Sequence, residues 1–239
     1  MKITILTLFK DLIEDYFNHS IIAKAKARGV FEVEVIDIRD YSLDKHRHVD
    51  DAPYGGGAGM LLSIEPIDRA LKACRSDDSY VLLTSPKAKP FTQEDAQRLA
   101  KKKHIIIICG HYEGTDARIE DYVDERVSLG DYILSGGELA SLVISDAMIR
   151  LLNDAINPDS LKEESYDDSR LEYPQYTKPA VYDGKKVPDV LLSGHHANIA
   201  RWRKKMSLLD TYIYRKDLFD KKPLTIEEKI LLEEALKEK

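Results

Sequence analysis

Cysteine is almost absent: in 239 residues the only two are Cys74 and Cys109. Two thiols cannot build a disulfide framework or a four-cysteine zinc site, and such scarcity suits a reducing cytoplasm. Long apolar runs are also missing, since none approaches the roughly 20 residues a membrane span requires. The N-terminal stretch MKITILTLFKDLIEDYF places acidic residues after its apolar run and offers no small-residue cleavage site. It reads as a strand and not as a signal peptide. There is no internal repeat and no low-complexity tract. Basic charge is not in excess either: the formal net charge is -6, so the whole molecule is not an obvious polyanion binder. What remains, 43% hydrophobic and 33% charged residues, is the balance of an ordinary soluble protein. A folded chain of this length buries roughly 70–75% of its extended surface and needs no staple.

The first 150 residues alternate between strand and helix signals. Strand-like runs are Ile3–Leu8, Phe31–Ile38, Tyr80–Thr84 and His104–Cys109. The run Ile105–Ile108 is apolar on both faces, as a central parallel strand must be when helices cover both sides. Ser63 precedes the helical pattern IEPIDRALKAC, Thr92 with Asp95 resembles a capping box, and Glu138–Leu152 continues helically. This alternation predicts an α/β domain with a mostly parallel sheet.

Residues Asn157–Tyr176 break the pattern, with six acids against two bases, and read as a linker or mobile loop. The shorter C-terminal unit shows no strand periodicity. Its helical candidates are Asn198–Leu209 and Ile226–Lys237, the latter introduced by Thr225 with Glu228 three residues on. From Lys178 to Lys222 there are 11 Lys/Arg against 5 Asp/Glu, a net of +6 inside a chain whose total is -6. Segregation on that scale points either to an anionic partner or to a solvated helix face. The expected division is therefore 1–156, a linker 157–176, and a basic helical unit 177–239.

Of 12 glycines, 9 fall in three short loops: YGGGAGM (Gly55, Gly56, Gly57, Gly59), CGHYEG (Gly110, Gly114) and SLGDYILSGGE (Gly130, Gly136, Gly137). Glycine gathers where backbone turns sharply or approaches a ligand. The second loop directly follows the isoleucine strand, the place where open α/β sheets bind ligands. The first loop is no P-loop, lacking Gly-Lys-Ser/Thr, and no dinucleotide fingerprint, lacking the third glycine. It also follows a polar stretch, DKHRHVDDAPYG, in place of a strand. Any one loop alone reads as an ordinary turn; three together, flanked by Tyr54, Tyr112, Glu113 and Tyr132, indicate a ligand pocket.

At these loops the sequence resembles the bacterial tRNA (guanine-N1)-methyltransferases of the knotted, SPOUT-type superfamily. The matching stretches are DKHRHVDDAPYGGGAGM, LTSPKAKPF, CGHYEGTDARI, SLGDYILSGGELA, EYPQYTKP and PDVLLSGHHANIARWR, in family order from Lys45 to Arg203. The resemblance implies an α/β fold with a mostly parallel sheet, a trefoil knot at its C-terminal end, and a small helical C-terminal domain that binds tRNA. It implies S-adenosylmethionine as methyl donor and, as acceptor, N1 of the guanosine immediately 3′ of the anticodon. It also implies a cytoplasmic homodimer with active sites at the subunit interface. The family leaves a magnesium ion open as a helper, on which these residues are silent. His195 and His196 are adjacent, point different ways and have no evident third ligand, so no structural metal is expected.

Carried over by motif, the donor pocket comprises Ser85 and Pro86, then Gly110, Tyr112 and Glu113, then Ser128, Leu129, Gly130, Asp131, Tyr132, Ile133, Leu134, Gly136 and Gly137. Tight glycine loops can read adenine edges through their backbone, while Leu129, Ile133 and Leu134 offer apolar walls. Guanine N1 carries a proton at neutral pH, so a base must remove it as the nitrogen attacks. The family's base is an aspartate in Asp-Ser-Phe, and the matching segment here is Glu164-Ser165-Tyr166, with Glu163, Asp167 and Asp168 as competitors. Negative charge spreading to the neighbouring carbonyl oxygen calls for a cation, and Arg150 stands at the family's arginine position. Without the family, Arg150 reads as a helix-terminal residue complementing the dipole. Two further departures are His111 and Ala52, where the family often has arginine. Arg201, Arg203, Lys204 and Lys205 of RWRKK are expected to hold the tRNA backbone. Two other readings stay open, a knotted methyltransferase acting on another RNA such as rRNA, and a non-catalytic RNA-binding relative.

Overall fold

Alternate residues of Ile105–Ile108 feed two separate hydrophobic layers, and the first part of the fold is organised around that strand. Ile105 and Ile107 pack with Ile3, Ile5 and Leu82 on one face, while Ile106 and Ile108 pack with Leu6, Val81 and Leu83 on the other. The computed structural model describes residues 1–157, 165–166 and 169–238. The chain divides into two compact units, Met1–Asn157 and Pro158–Lys239.

In the first unit the elements run β1 (Lys2–Thr7), α1 (Lys10–Tyr16), α2 (Ser20–Ala27), β2 (Glu32–Asp37), β3 (Asp50–Asp51), β4 (Leu61–Leu62), α3 (Ile64–Cys74), β5 (Ser79–Thr84), α4 (Gln93–Leu99), β6 (His104–Ile108), β7 (Glu125–Val127) and α5 (Glu138–Ile149). Five strands form one sheet in the order β2-β1-β6-β5-β7, and every pair is parallel. Residues of α1, α2, α4 and α5 cover one face, including Ile13, Phe17, Ile22, Leu99, Met148 and Ile149. On the other face lie Ile67, Ala70 and Leu71 of α3, with Ile38 and Ile119 from two 3₁₀ turns. The expected mostly parallel α/β sheet is thus present, and the four expected strands fall at the expected places to within a residue or two.

Local signals account for much of this. Thr92 accepts from the Asp95 amide while the Asp95 carboxylate accepts from the Thr92 amide, the reciprocal cap that starts α4. Ser63 precedes α3 but makes no side-chain cap bond. The edge strand β7 has only three residues; Arg98 of α4 pins it through Glu125, at 2.9 Å, while also meeting Asp95 at 3.1 Å. The first glycine loop does follow a strand after all, a two-residue one: β3 pairs antiparallel with β4, so the loop is the tip of a hairpin.

The second unit contains β8 (Val181–Tyr182), β9 (Lys185–Lys186), α6 (Asp189–Leu192), α7 (His196–Tyr214), α8 (Lys216–Phe219) and α9 (Ile226–Lys237). Leu209, Phe219, Leu232 and Ala235 form its small core, with Met206 and Leu224 at the edge. Thr225 and Glu228 make the expected reciprocal cap of α9. The absence of strands expected here is corrected by the β8–β9 hairpin, whose turn is Asp183-Gly184, both at positive φ. Asp-Gly is a two-residue hairpin-turn signal that the sequence carried. Among the described residues no helix is long and apolar enough to cross a membrane.

At the amino end of the sheet His104 is only 6% exposed, its ring held by Thr4 Oγ1 at 2.9 Å and Ser79 Oγ at 2.8 Å. Burial, then the Lys2 ammonium, lower its pKa, against the opposing pull of Glu34. The folded state therefore prefers neutral histidine, and the unfolded state binds the extra proton. Stability from this site is complete above the ordinary histidine pKa and is lost as pH falls through the lowered folded value. Urea midpoints should drop from about pH 7.5 to about pH 5, and His104→Gln should show a shallower drop over the same interval.

Candidate functional site

Three strand ends lie side by side at the carboxyl edge of the sheet: β6, β5 and β7. Each runs into one of the loops expected to form the pocket, β5 into Ser85-Pro86, β6 into Gly110–Glu113, and β7 into Ser128–Gly137. Backbone bonds tie them together. The Ser85 amide donates to Val127 O at 2.9 Å, the Phe91 amide to Ser128 O at 2.8 Å, and the Gly137 amide to Gly110 O at 2.7 Å. His111 and Gly136 form an antiparallel bridge. The first glycine loop joins from outside, since the Glu113 amide donates to Met60 O at 3.1 Å and the Leu62 amide to Gly114 O at 2.9 Å.

The closeness of these loops requires glycine at position 137. A Cβ on Gly137 would lie 2.0 Å from Thr84 Oγ1, 2.8 Å from Gly110 N and 2.9 Å from Cys109 Cα. Thr84 is itself fixed, accepting from the Gly110 amide at 3.0 Å and donating to Ile108 O at 3.2 Å. A Cβ on Gly59 would meet the Glu113 side chain at 2.3 Å, so this glycine lets Glu113 lie flat against the hairpin. Immediately after Gly137, the buried Glu138 enters the first turn of α5 and accepts from Thr7 Oγ1 at 2.8 Å. A carboxylate there is favoured by the exposed amides of the helix start. Motif reading passed over Glu138, although its place directly after two glycines at a helix start was the available signal.

The pocket residues are not all alike in the structure. Leu129 packs against the core while staying only partly buried. Ile133 is 81% exposed, and Tyr132 and Leu134 are also exposed. Among the described residues the amides of Ile133 and Leu134 enter no hydrogen bond, which leaves donors beside apolar surface. Tyr112 is partly exposed and sits at φ +58, a left-handed conformation that costs energy in a non-glycine residue and is often found at functional sites. Burial, with Asp50 nearby, raises its phenol pKa. The His111 ring lies 5.3 Å from that of Phe9, tilted, and 4.9 Å from that of Tyr112, edge-on, and its Nδ1 is buried with no partner among the described residues. Tyr54, in contrast, is fully exposed and contributes no wall. Buried Cys109 has its thiol pKa pushed up by desolvation and then by Glu138, which keeps it a neutral, unreactive thiol.

These features fit an adenosyl ligand: an apolar strip, free amides and a glycine floor without side chains. Arg150 stands at the C-cap of α5, one turn after Asp146, whose carboxylate accepts from Tyr16 Oη at 2.6 Å. Glu164, with Glu163, Asp167 and Asp168, lies outside the described residues. No group of three or more His, Cys, Asp or Glu side chains able to hold a metal is found among the described residues.

In the second unit the expected RNA-binding cations line α7, and acids of α9 face them. Arg201 pairs with Glu234 at 2.8 Å, Lys204 with Glu227 at 2.7 Å, and Lys205 with Glu238 at 2.5 Å. Lys205 is buried, while Arg201 remains exposed. The Arg203 guanidinium lies 4.7 Å over the Tyr173 ring.

Comparison with known proteins agrees in one direction. The sequence pattern of the family described as tRNA (Guanine-1)-methyltransferase TrmD matches residues 1–221. A Dictyoglomus turgidum protein named tRNA (guanine-N(1)-)-methyltransferase is 47% identical over 239 residues, covering 100% of this chain and 98% of its own. Its namesake from Syntrophomonas wolfei is 50% identical over 237 residues, covering 99% and 97%. The Ureaplasma parvum namesake is 54% identical over 222 residues, covering 92% and 97%.

Gly137→Ala should lower stability by about 1–3 kcal/mol or more, the cost of overpacking against fixed backbone. Gly56→Ala meets nothing within 4 Å but sits at φ +80, so it should cost only about 1–2 kcal/mol of left-handed strain. Thermal denaturation of the two variants side by side checks the order, with Gly137→Ala the less stable.

Proposed function

The chain belongs to the tRNA (guanine-N1)-methyltransferase family, and on that premise we propose that it methylates N1 of the guanosine immediately 3′ of a tRNA anticodon. The observation that carries the reading is the convergence of Ser85-Pro86, Gly110–Glu113 and Ser128–Gly137 at three adjacent strand ends, in a chain matched to the family from residue 1 to 221. S-adenosylmethionine, when bound, supplies an electrophilic methyl group on its sulfonium. The backbone of Ser128–Gly137 and the turn at Gly110 would hold its adenosyl part, with Ile133 and Leu134 against apolar surface. The trefoil knot is part of the same reading. It is supported by the way Ser128–Gly137 is gripped on one side by Lys89–Phe91 and on the other by Gly110–His111.

Glu164 is the general base that takes the N1 proton, leaving negative charge to spread toward the guanine carbonyl oxygen. Arg150 balances that charge. Arg201, Arg203, Lys204 and Lys205 belong to the tRNA-holding unit, and a soluble cytoplasmic setting follows from a tRNA substrate. A homodimer is supported by apolar side chains left open on α5 and α1: Leu139 and Val143, one helical turn apart, with Phe9 and Leu12. Val143→Glu should shift the protein toward monomer in sedimentation equilibrium and lower methyl transfer in parallel.

Transfer of labelled methyl groups to tRNA transcripts, with guanosine or adenosine at the acceptor position and rRNA as a control, tests the activity. Incorporation should require guanosine at that position. Glu164→Gln should lower the single-turnover rate by roughly 10²–10⁴-fold, the usual worth of positioned proton transfer, with donor affinity little changed. Glu164→Asp should retain substantial activity. Rates for Glu164→Gln within about threefold of wild type would move the base to Glu163, Asp167 or Asp168.

A further inference from the structure

Within the second unit the cations differ sharply in their company. Arg201 and Lys204 each face a glutamate of α9, and Lys205 faces Glu238 at its C-cap. Lys178, Lys185 and Lys186 are exposed, and their side chains enter no ion pair or hydrogen bond among the described residues. The last two lie on the β8–β9 hairpin, where Tyr182 is directly opposite Lys185 and Val181 directly opposite Lys186. Opposed residues share a face, so each face presents one lysine beside one apolar group. Tyr182 is 74% exposed and Val181 is exposed as well. The turn is rigid: Asp183 at φ +48 and Gly184 at φ +74 make the type I′ geometry that matches strand twist.

We propose that this hairpin is a second RNA-contacting element, Lys185 and Lys186 neutralising phosphates and the Tyr182 ring stacking on a base or ribose face. The inference rests on the tRNA reading above and adds a surface that the RWRKK segment does not include. An isolated hairpin of two residues per strand is marginal in water, and this one buries none of its side chains. Its stiff turn instead holds an aromatic ring and two unneutralised charges outward. A protein partner fits less well, because interface cores are depleted in lysine. An aromatic beside free cations is the combination that tracks a nucleic-acid strand.

The test uses the full chain and a tRNA transcript, with dissociation constants measured by filter binding from about 50 to 200 mM salt, where each phosphate contact contributes roughly 0.7–0.9 to the log–log slope. Lys185→Ala/Lys186→Ala should flatten the slope by about 1–2 and weaken low-salt binding, with donor affinity unchanged. Tyr182→Ala should weaken tRNA binding about fivefold or more, and Tyr182→Phe should restore it. A charge-matched control, Lys24→Ala/Lys101→Ala, removes two exposed lysines of the first unit whose side chains enter no ion pair or hydrogen bond among the described residues and should leave the slope alone. An unchanged slope in the hairpin double variant, an equal flattening in the control, or a shift in oligomeric state caused by the hairpin variant would each overturn the assignment. Wild-type protein that fails to bind tRNA would overturn the tRNA reading itself, so the two failures are distinguishable.

Discussion

Gly137 rests directly on the Thr84 side chain and on the Cys109–Gly110 backbone, with no room for a single methyl group between them. Three strand ends depend on that contact. Thr84 closes β5 onto β6, Gly110 begins the second loop, and Gly137 ends the third and starts α5. If the third loop stood even 1 Å further away, Glu138 could not reach Thr7, and the first turn of α5 would lose its buried acceptor. Close packing of this kind makes the pocket a rigid product of backbone geometry, which suits catalysis that depends on positioning.

Pocket chemistry follows from the same constraint. Because side chains are excluded where the loops meet, the groups presented there are peptide amides and carbonyls, with the exposed aliphatic side chains of Ile133 and Leu134 nearby in the third loop. Arg150 stands at the far end of α5.

The second unit handles charge differently. Exposed pairs such as Arg201–Glu234 and Lys204–Glu227 are screened by solvent and contribute little, so an incoming phosphate can replace the carboxylate at small cost. Lys205 is the exception, because its buried ammonium serves the packing of α7 on α9 through Glu238. Its pairing is part of the fold. The lysines of the β8–β9 hairpin begin without such partners, and phosphate contact there displaces only water and counterions.

Local chemistry made several elements legible in the chain itself. Ile105–Ile108 reads as a strand buried on both faces, Thr92 with Asp95 and Thr225 with Glu228 read as helix starts, and nine glycines gather in three loops. The Asp183-Gly184 hairpin was equally readable by its turn chemistry. Other features were not legible, for reasons of distance. β7 has three residues and no pattern of its own; it exists because Leu82–Thr84 offers it an edge and Arg98 anchors Glu125. Leu129 and Ile133 are both aliphatic and four residues apart, yet one packs against the core and the other faces solvent. The acids of α9 that face RWRKK are more than 20 residues away in sequence. Residue type and short spacing thus determined the strands, caps and glycine loops, since those depend on neighbours along the chain. Which loop touches which, which apolar residue is buried and which cation is already paired were decided only by contacts between distant segments, because burial and ion pairing are properties of position in space.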